Sequence, residues 1–265
     1  MGRVAVGIEY DGAAFHGWQA QSHCLAVQPE VEAALSSVAG HPVSLTIAGR
    51  TDAGVHARAQ VAHFDTGSVR TERGWLLGTN SALPPSVSLR WARAVPGHFH
   101  ARYSAVARTY RYFILNRPVR SALAAGRCHV VFAPLAVETM QEAARLLEGT
   151  HDFSAFRAAE CQAHSPVRRL ESLAVWREGD WVRVEARANA FLHHMVRNII
   201  GLLLVVGRGA APPGRAREQL ESRDRKTGAP TAPADGLYFW QAHYPPQFGL
   251  PDDSAIISAP ELPAG

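Results

Sequence analysis

Lysine is nearly absent from this chain. Lys226 is the single one among 27 basic residues, so the cationic surface is built from guanidinium groups. Acidic residues are missing from one long stretch. Between Arg73 and Val137 there is no Asp or Glu, while nine arginines stand there: Arg73, Arg90, Arg93, Arg102, Arg108, Arg111, Arg117, Arg120 and Arg127. Surface arginines ordinarily alternate with acids, and these have none nearby in the chain. Planar guanidinium forks match phosphates, and a run of them is the footprint expected of a polyanion track. An Arg-for-Lys bias explains why the cations are arginines. It does not explain why the acids are gone.

Cysteine is scarce as well. Cys24, Cys128 and Cys161 are far apart and odd in number, which excludes a framework of disulfides. No CxxC or Cys/His spacing suggests zinc, and reduced thiols in a cytoplasm are the expectation. His193 and His194 are adjacent rather than four apart, so they do not make a helical metal pair. There is no Asp-x-Asp pair and no cluster of acids, which argues against a metal-dependent phosphatase or nuclease. No metal and no nucleotide cofactor is expected. The longest apolar run, Leu202 to Val206 with Ile199 and Ile200 just before it, is far too short to cross a bilayer. The first residues, Met-Gly-Arg-Val, resemble neither a signal peptide nor a myristoylation site.

What is present is globular. The chain has 265 residues, 47% hydrophobic and 19% charged, with a full set of aromatics. That suffices for a sizeable core in one large domain or two of ordinary size. The net charge of +4 is unevenly spread: residues 106–244 hold 19 basic residues against 13 acidic ones, and residues 1–105 hold 8 against 7.

Periodicity predicts a strand over Arg3 to Tyr10, closed by the turn signal Asp11-Gly12. The loop that follows carries Phe15, His16, Trp18 and Gln19, aromatics that either stack bases or plug the core. A helix is predicted from Val27 to Ala39, ended by Gly40 and Pro42. Two apolar runs come next, Val43–Leu45–Ile47 and Val61–Ala62–Phe64, then a helix from Thr71 to Leu83 and a strand from Val87 to Ala94. After the irregular Pro96–Ser104 the order recurs: a strand over Ala107–Leu115 and a helix over Leu135–Leu147. A hairpin of Val167–Trp176 and Trp181–Ala188 follows, then an apolar helix over Phe191–Val206, a short helix over Arg215–Ser222 and a strand over Leu237–His243. The class is α+β: two tandem ferredoxin-like βαββαβ units, whose antiparallel sheets are expected to join around a central cleft. The expected boundaries are 1–104, 105–245 and a Pro-rich tail, 246–265.

Three groups stand out as candidates for chemistry. Asp52 lies in A-G-R-T-D-A-G-V-H-A (Ala48 to Ala57), on a tight connection between two strands, where functional groups often sit. An Asp beside a Gly is also a common turn or cap. Arg50, two residues away, could share its face and keep it ionised, leaving it able to act as nucleophile, general base or metal ligand. Arg197 interrupts an apolar helix. It needs a partner such as an acid across the domain junction, or else a place at a wet helix edge with His194 and Asn198. Tyr110, on a strand beside Arg108 and Arg111, is either a platform for a base or a core tyrosine. These features leave open a non-catalytic RNA-binding protein. The RNA-recognition-motif signature K/R-G-F/Y-G/A-F is absent.

G-R-T-D-A-G-V-H-A resembles the signature of the tRNA pseudouridine synthase A family. So do Gly7 to Gln19 (G-I-E-Y-D-G…G-W-Q), Phe99 to Tyr112 (F-H-A-R-Y-S-A…R-T-Y-R-Y), D-F-S-A-F-R from Asp152, F-L-H-H-M-V-R-N-I-I-G from Phe191 and D-G-L-Y from Asp235, in the family's order. The resemblance implies an isomerase that converts uridine to pseudouridine at positions 38, 39 and 40 of the tRNA anticodon arm, with a flipped-out target base. By the same resemblance Asp52 is the nucleophile and Tyr110 stacks on the uracil. Arg50 and Arg197 are basic residues around the aspartate, and Leu237 is an apolar pocket residue. It further implies a homodimer that presents a basic cleft to tRNA, without cofactor or membrane. Arg58-Ala59 and Phe15 depart from the family pattern outside the matched catalytic positions.

Overall fold

A computed structural model describes residues 2–251. The first elements in chain order are β1 (Gly2–Tyr10), α1 (Val27–Ala39), β2 (Thr46–Ile47), β3 (His56–Thr66), α2 (Glu72–Ala82) and β4 (Val87–Val95). There follow β5 (Ala107–Asn116), β6 (His129–Val131), α3 (Val137–Arg145), β7 (Gly149–Asp152), β8 (Val167–Glu178) and β9 (Trp181–Ala188). The last are α4 (Met195–Gly207), α5 (Arg215–Ser222) and β10 (Leu237–His243). The chain is α+β and divides into two compact units. Of the described residues, one unit comprises 2–106 and 238–251, and the other runs from Ala107 to Leu237. No helix among the described residues is long and apolar enough to cross a membrane.

In the first unit β1 is central. It pairs antiparallel with β3 (Val6 opposite Ala62) and with β4 (Val6 opposite Ala92). The far edge of β3 takes β2 antiparallel at one end, Ile47 opposite Ala62, and β10 parallel at the other, Tyr238 opposite His56. This pairing draws the last strand into the first unit, although the boundary expected at 105–245 had assigned it to the second. The alternation read in β1 holds for Val4, Val6 and Ile8, but Ala5 is fully buried too. Small residues on its second face let that face be covered as well. α1 buries Val27, Val31 and Leu35 and ends on Gly40 at φ 73, the left-handed stop that glycine adopts without strain. α2 is capped by the Thr71 hydroxyl, which accepts from Gly74 N at 3.0 Å. Trp75 of α2 meets Phe64 of β3 edge to face at 5.2 Å. Burying each such side chain stabilises by roughly 1.5–3 kcal/mol. The apolar run Val43–Ile47 is a strand only at its end. Val43 N and Leu45 N donate instead to Ser36 Oγ and Glu32 Oε1 of α1, at 2.9 and 2.8 Å.

In the second unit the sheet runs β5-β9-β8-β7, antiparallel throughout, with β6 parallel to β5. Tyr112 and Ile114 of β5, Leu173 of β8, Met140 of α3 and Ile199, Ile200 and Leu203 of α4 are fully buried. The hairpin turns over Gly179 at φ 57. The apolar helix starts at Met195, four residues later than periodicity placed it. The break lies at His194, whose backbone takes the left-handed conformation at φ 60 and ψ 2. α3 is likewise shorter than its apolar pattern. The edge strands β6 and β7, three and four residues long, have no apolar period that a sequence could display. Of the tail, Pro246–Phe248 form a turn of 3-10 helix; residues 252–265 lie outside the described part.

Candidate active site

Asp52 sits half-buried on the connection before β3. The turn bond of that connection runs from Val55 N to Asp52 O, 3.1 Å, and Gly54 takes φ 77. Its neighbours are braced from several directions. Trp18 N donates to Thr51 O, and Gly54 N to Phe15 O, both at 3.1 Å. The hydroxyls of Tyr10 and Thr51 share a hydrogen bond of 2.8 Å inside the unit. Burial pushes the Tyr10 phenol up to about 12, so it stays protonated near neutral pH. Gln60, fully buried, holds Gly49 O by its Nε2 at 2.7 Å. His56 accepts from Gly12 N at 3.0 Å through Nδ1, and its ring stacks on Tyr238 at 4.5 Å. The carboxylate is therefore carried on a loop fixed on both sides, as a preorganised reacting group requires. Arg50 is exposed on the approach to this loop.

Phe15 and Trp18 are buried. They plug the core behind the aspartate loop, whereas His16 and Gln19 are exposed. Between Phe15 and Trp18, Gly17 adopts φ 92, and a Cβ there would lie 2.6 Å from Thr51 O. We expect Gly17→Ala to cost on the order of 1–3 kcal/mol, visible as a lower denaturation midpoint. An unchanged midpoint would show that the loop does not depend on this close approach.

Tyr110, Arg197 and Leu237 belong to the second unit, where one segment links their surroundings. From Pro230 to Leu237 the chain runs between α4 and β5. Ala232 O accepts from Arg197 Nε at 2.8 Å, and Ala232 N donates to Arg197 O at 3.1 Å. The Tyr112 hydroxyl donates to Pro233 O at 3.0 Å, and Phe113 N to Gly236 O at 2.9 Å. Leu237, buried, closes the turn through its N and Ala234 O at 2.8 Å. The segment can approach because Gly201 has no side chain: a Cβ there would stand 1.9 Å from Pro230 O. Arg197 is half-buried in the first turn of α4. Asn198 is buried rather than at a wet edge. It donates to Phe156 O at 2.8 Å and accepts from Thr231 Oγ1 at 2.6 Å. Tyr110 is 9% exposed, packed edge to face on Phe191 at 5.0 Å. Arg108 shares its face and donates to Asn189 O at 2.9 Å, while Arg111, on the opposite face, pairs with Glu185 at 2.6 Å.

The acid-free stretch is less bare in space than in sequence. Arg90 faces Glu9 at 3.8 Å, Arg93 faces Glu72 at 3.6 Å and Arg117 faces Asp180 at 3.7 Å. With Arg111, four of the nine arginines thus have acids supplied from outside the stretch. Arg73, Arg102, Arg120 and Arg127 are exposed.

The first unit thus carries an aspartate on a braced loop, and the second carries Tyr110, Arg197 and Leu237 on elements tied together within that unit. The family model described as tRNA pseudouridine synthase matches residues 7–104 and 143–245, and the chain belongs to this family. A Methylococcus capsulatus protein called tRNA pseudouridine synthase A is 56% identical over 97% of this chain and 95% of its own length. Proteins of the same name from Nitrosococcus oceani and Aromatoleum aromaticum are 53% and 52% identical, over 94% and 98% of this chain and 96% and 99% of theirs.

Proposed function

We propose that this chain isomerises uridine to pseudouridine in the anticodon stem-loop of tRNA, at positions 38, 39 and 40, with Asp52 as nucleophile. The observation that carries the reading is the match of both units to the tRNA pseudouridine synthase family around one aspartate on a braced loop. The target uridine leaves its stack, at a cost of a few kcal/mol that phosphate contacts offset. The bond from N1 to the ribose C1′ breaks, the uracil turns, and a bond from C5 to C1′ forms. C5 loses its proton and N1 gains one, so nothing is oxidised and no cofactor is needed. The Asp52 carboxylate adds to the ribose carbon or to the base and is released when the new bond closes.

Tyr110 stacks on the extruded uracil, Leu237 bounds it with an apolar surface, and Arg50 and Arg197 are the basic groups that serve the carboxylate and hold the substrate. The reading requires Asp52 of the first unit and Tyr110, Arg197 and Leu237 of the second to serve one nucleotide. Exposed arginines of the second unit contact the RNA backbone. The chain acts in the cytoplasm as a homodimer.

The test is tritium release from tRNA labelled at uridine C5, with chemical mapping of the product. Release in step with pseudouridine at positions 38–40 is expected. Tight tRNA binding with uridine unchanged would favour a non-catalytic RNA-binding protein, and EDTA-sensitive cleavage would favour a nuclease.

A further inference from the structure

Residues 96–106, between β4 and β5, form a turn that is tied down along its backbone yet presents an exposed aromatic ring. Phe99 and Ala101 are fully buried. Phe99 O accepts from Arg3 Nη1 at 2.7 Å, and Ala101 O from the Tyr244 hydroxyl at 2.6 Å. Ala101 N donates to His63 Nδ1 at 3.1 Å. Ser104 closes the turn: its Oγ accepts from His100 N at 2.9 Å and its N donates to His100 O at 2.8 Å. The backbone N–H groups of Arg102 and Tyr103 both donate to His100 Nδ1 at 3.2 Å. A ring that accepts at Nδ1 carries its proton on Nε2 and is neutral. Burial and the nearby Arg3 hold His100 below the usual histidine range. Burial, Arg3 and His100 push His63 down to about 4.

Three rings lead outward on this scaffold. His63 is buried, and His100 lies 4.9 Å from it. Tyr103 lies 4.3 Å beyond His100, with 31° between the ring planes. Tyr103 is 74% exposed, and the Arg102 guanidinium stands over its ring at 5.4 Å. An exposed tyrosine on a loose loop needs no explanation. Here the backbone is fixed, a neutral ring packs behind the phenol and a cation stands over it. The ring is oriented before any ligand arrives, so binding orders little that is not already ordered.

We propose that Tyr103, backed by His100 and flanked by Arg102, is a stacking platform for an unpaired nucleobase of the RNA substrate, distinct from the uridine that reacts. The inference rests on the RNA reading above and adds a docking point within the first unit. Bases stack on aromatic faces whatever their identity, and arginine complements the phosphate beside a stacked base. The local charge favours RNA over a protein partner. Arg102 is exposed and stands over the ring, in a stretch of the chain that itself holds no Asp or Glu. Asp65, an acid in the surroundings of His63, is held in a two-pronged pair by Arg3, both contacts at 2.7 Å.

The test compares the full chain with Tyr103→Ala, Tyr103→Phe and Arg102→Ala on an unmodified tRNA transcript. Losing one stacked base weakens binding roughly tenfold. Tyr103→Ala should therefore raise both Kd and KM by about that factor, with the effect falling on KM rather than kcat, and Tyr103→Phe should restore affinity. Arg102→Ala should weaken binding and flatten its salt dependence. Among transcripts with single abasic nucleotides in the anticodon loop, one should bind the unsubstituted protein as poorly as Tyr103→Ala binds intact tRNA. Combining the two should cost nothing further. Unchanged Kd and KM in Tyr103→Ala overturn the platform. So does loss of self-association in sedimentation at unchanged tRNA affinity, which would make the patch a protein interface. If the unsubstituted chain binds tRNA but forms no pseudouridine, the functional reading fails, and the binding comparisons still decide the platform.

Discussion

Asp52→Asn is expected to abolish tritium release from C5-labelled tRNA, with a loss of at least about 10⁴-fold, while tRNA binding and the denaturation midpoint stay near those of the unsubstituted chain. The size follows from the role. Removing a covalent nucleophile takes away the intermediate itself, and such losses far exceed that of one hydrogen bond. The selectivity follows from the structure. The loop around Asp52 is held by its backbone and by its neighbours, through Trp18 N to Thr51 O, Gly54 N to Phe15 O and the Tyr10–Thr51 hydroxyl pair. These bonds run through the backbone and neighbouring side chains, and Asn matches the carboxylate in size, so the amide keeps the loop and loses the nucleophile. Asp52→Asn protein that still turned over at a few per cent would remove Asp52 from the covalent role. A variant that lost turnover only because it unfolded would show it in the midpoint, and the Asx-turn reading of this aspartate would then stand.

The string around Asp52 was legible because it is local: a turn, a glycine and two flanking apolar runs fall within about twenty residues. What braces it was not. Tyr10 and Thr51 are 41 positions apart, and Gly12 and His56 are 44 apart. No periodicity announces such pairs. The one available signal was His56 within the same ten-residue string. The arginine stretch erred in the same way. Read along the chain it lacked acids, but Glu9, Glu72, Asp180 and Glu185 reach four of its members through strand and helix packing. A charge census by segment sees composition, whereas pairing is a property of the fold.

Helices with sharp terminators were read to the residue. α1 stops at Gly40, and α5 spans the predicted Arg215–Ser222. α4 was extended too far back because Phe191 and Leu192 continue the apolar pattern while the backbone breaks at His194. A non-glycine residue at positive φ is uncommon enough that sequence gives no warning of it. The last strand shows a different limit. Its position was legible, but its membership was not: pairing of Tyr238 with His56 is decided by which edge is available, not by the strand's own residues. Phe15 and Trp18, which sequence left open between base stacking and core, are settled by burial in favour of the core.

Arg197→Met should lower kcat on the order of a hundredfold, the loss typical when one charged or hydrogen-bonding group that acts on the reacting centre is removed. The tRNA Kd should change by no more than about threefold, because one half-buried group contributes little to a grip dominated by phosphate contacts. The structure makes the substitution interpretable. Arg197 lies in the first turn of an otherwise apolar helix, and its Nε is already engaged by Ala232 O. Its aliphatic stem packs as methionine can. Loss of the charged bond to Ala232 O costs about 1.5–3 kcal/mol, and Ala232 N still donates to the backbone oxygen at position 197. The substitution deletes the charge together with the contacts the guanidinium makes. If that charge serves the Asp52 carboxylate, the double variant Asp52→Asn/Arg197→Met should be no worse than Asp52→Asn alone, since both changes disable one unit of chemistry. A fall in kcat matched by an equal weakening of Kd, with a shallower salt dependence, would place Arg197 on the phosphate track instead. Arg197→Lys separates charge from shape: it restores turnover if a point charge beside the carboxylate suffices, and fails if the planar fork is needed to hold carboxylate and substrate together.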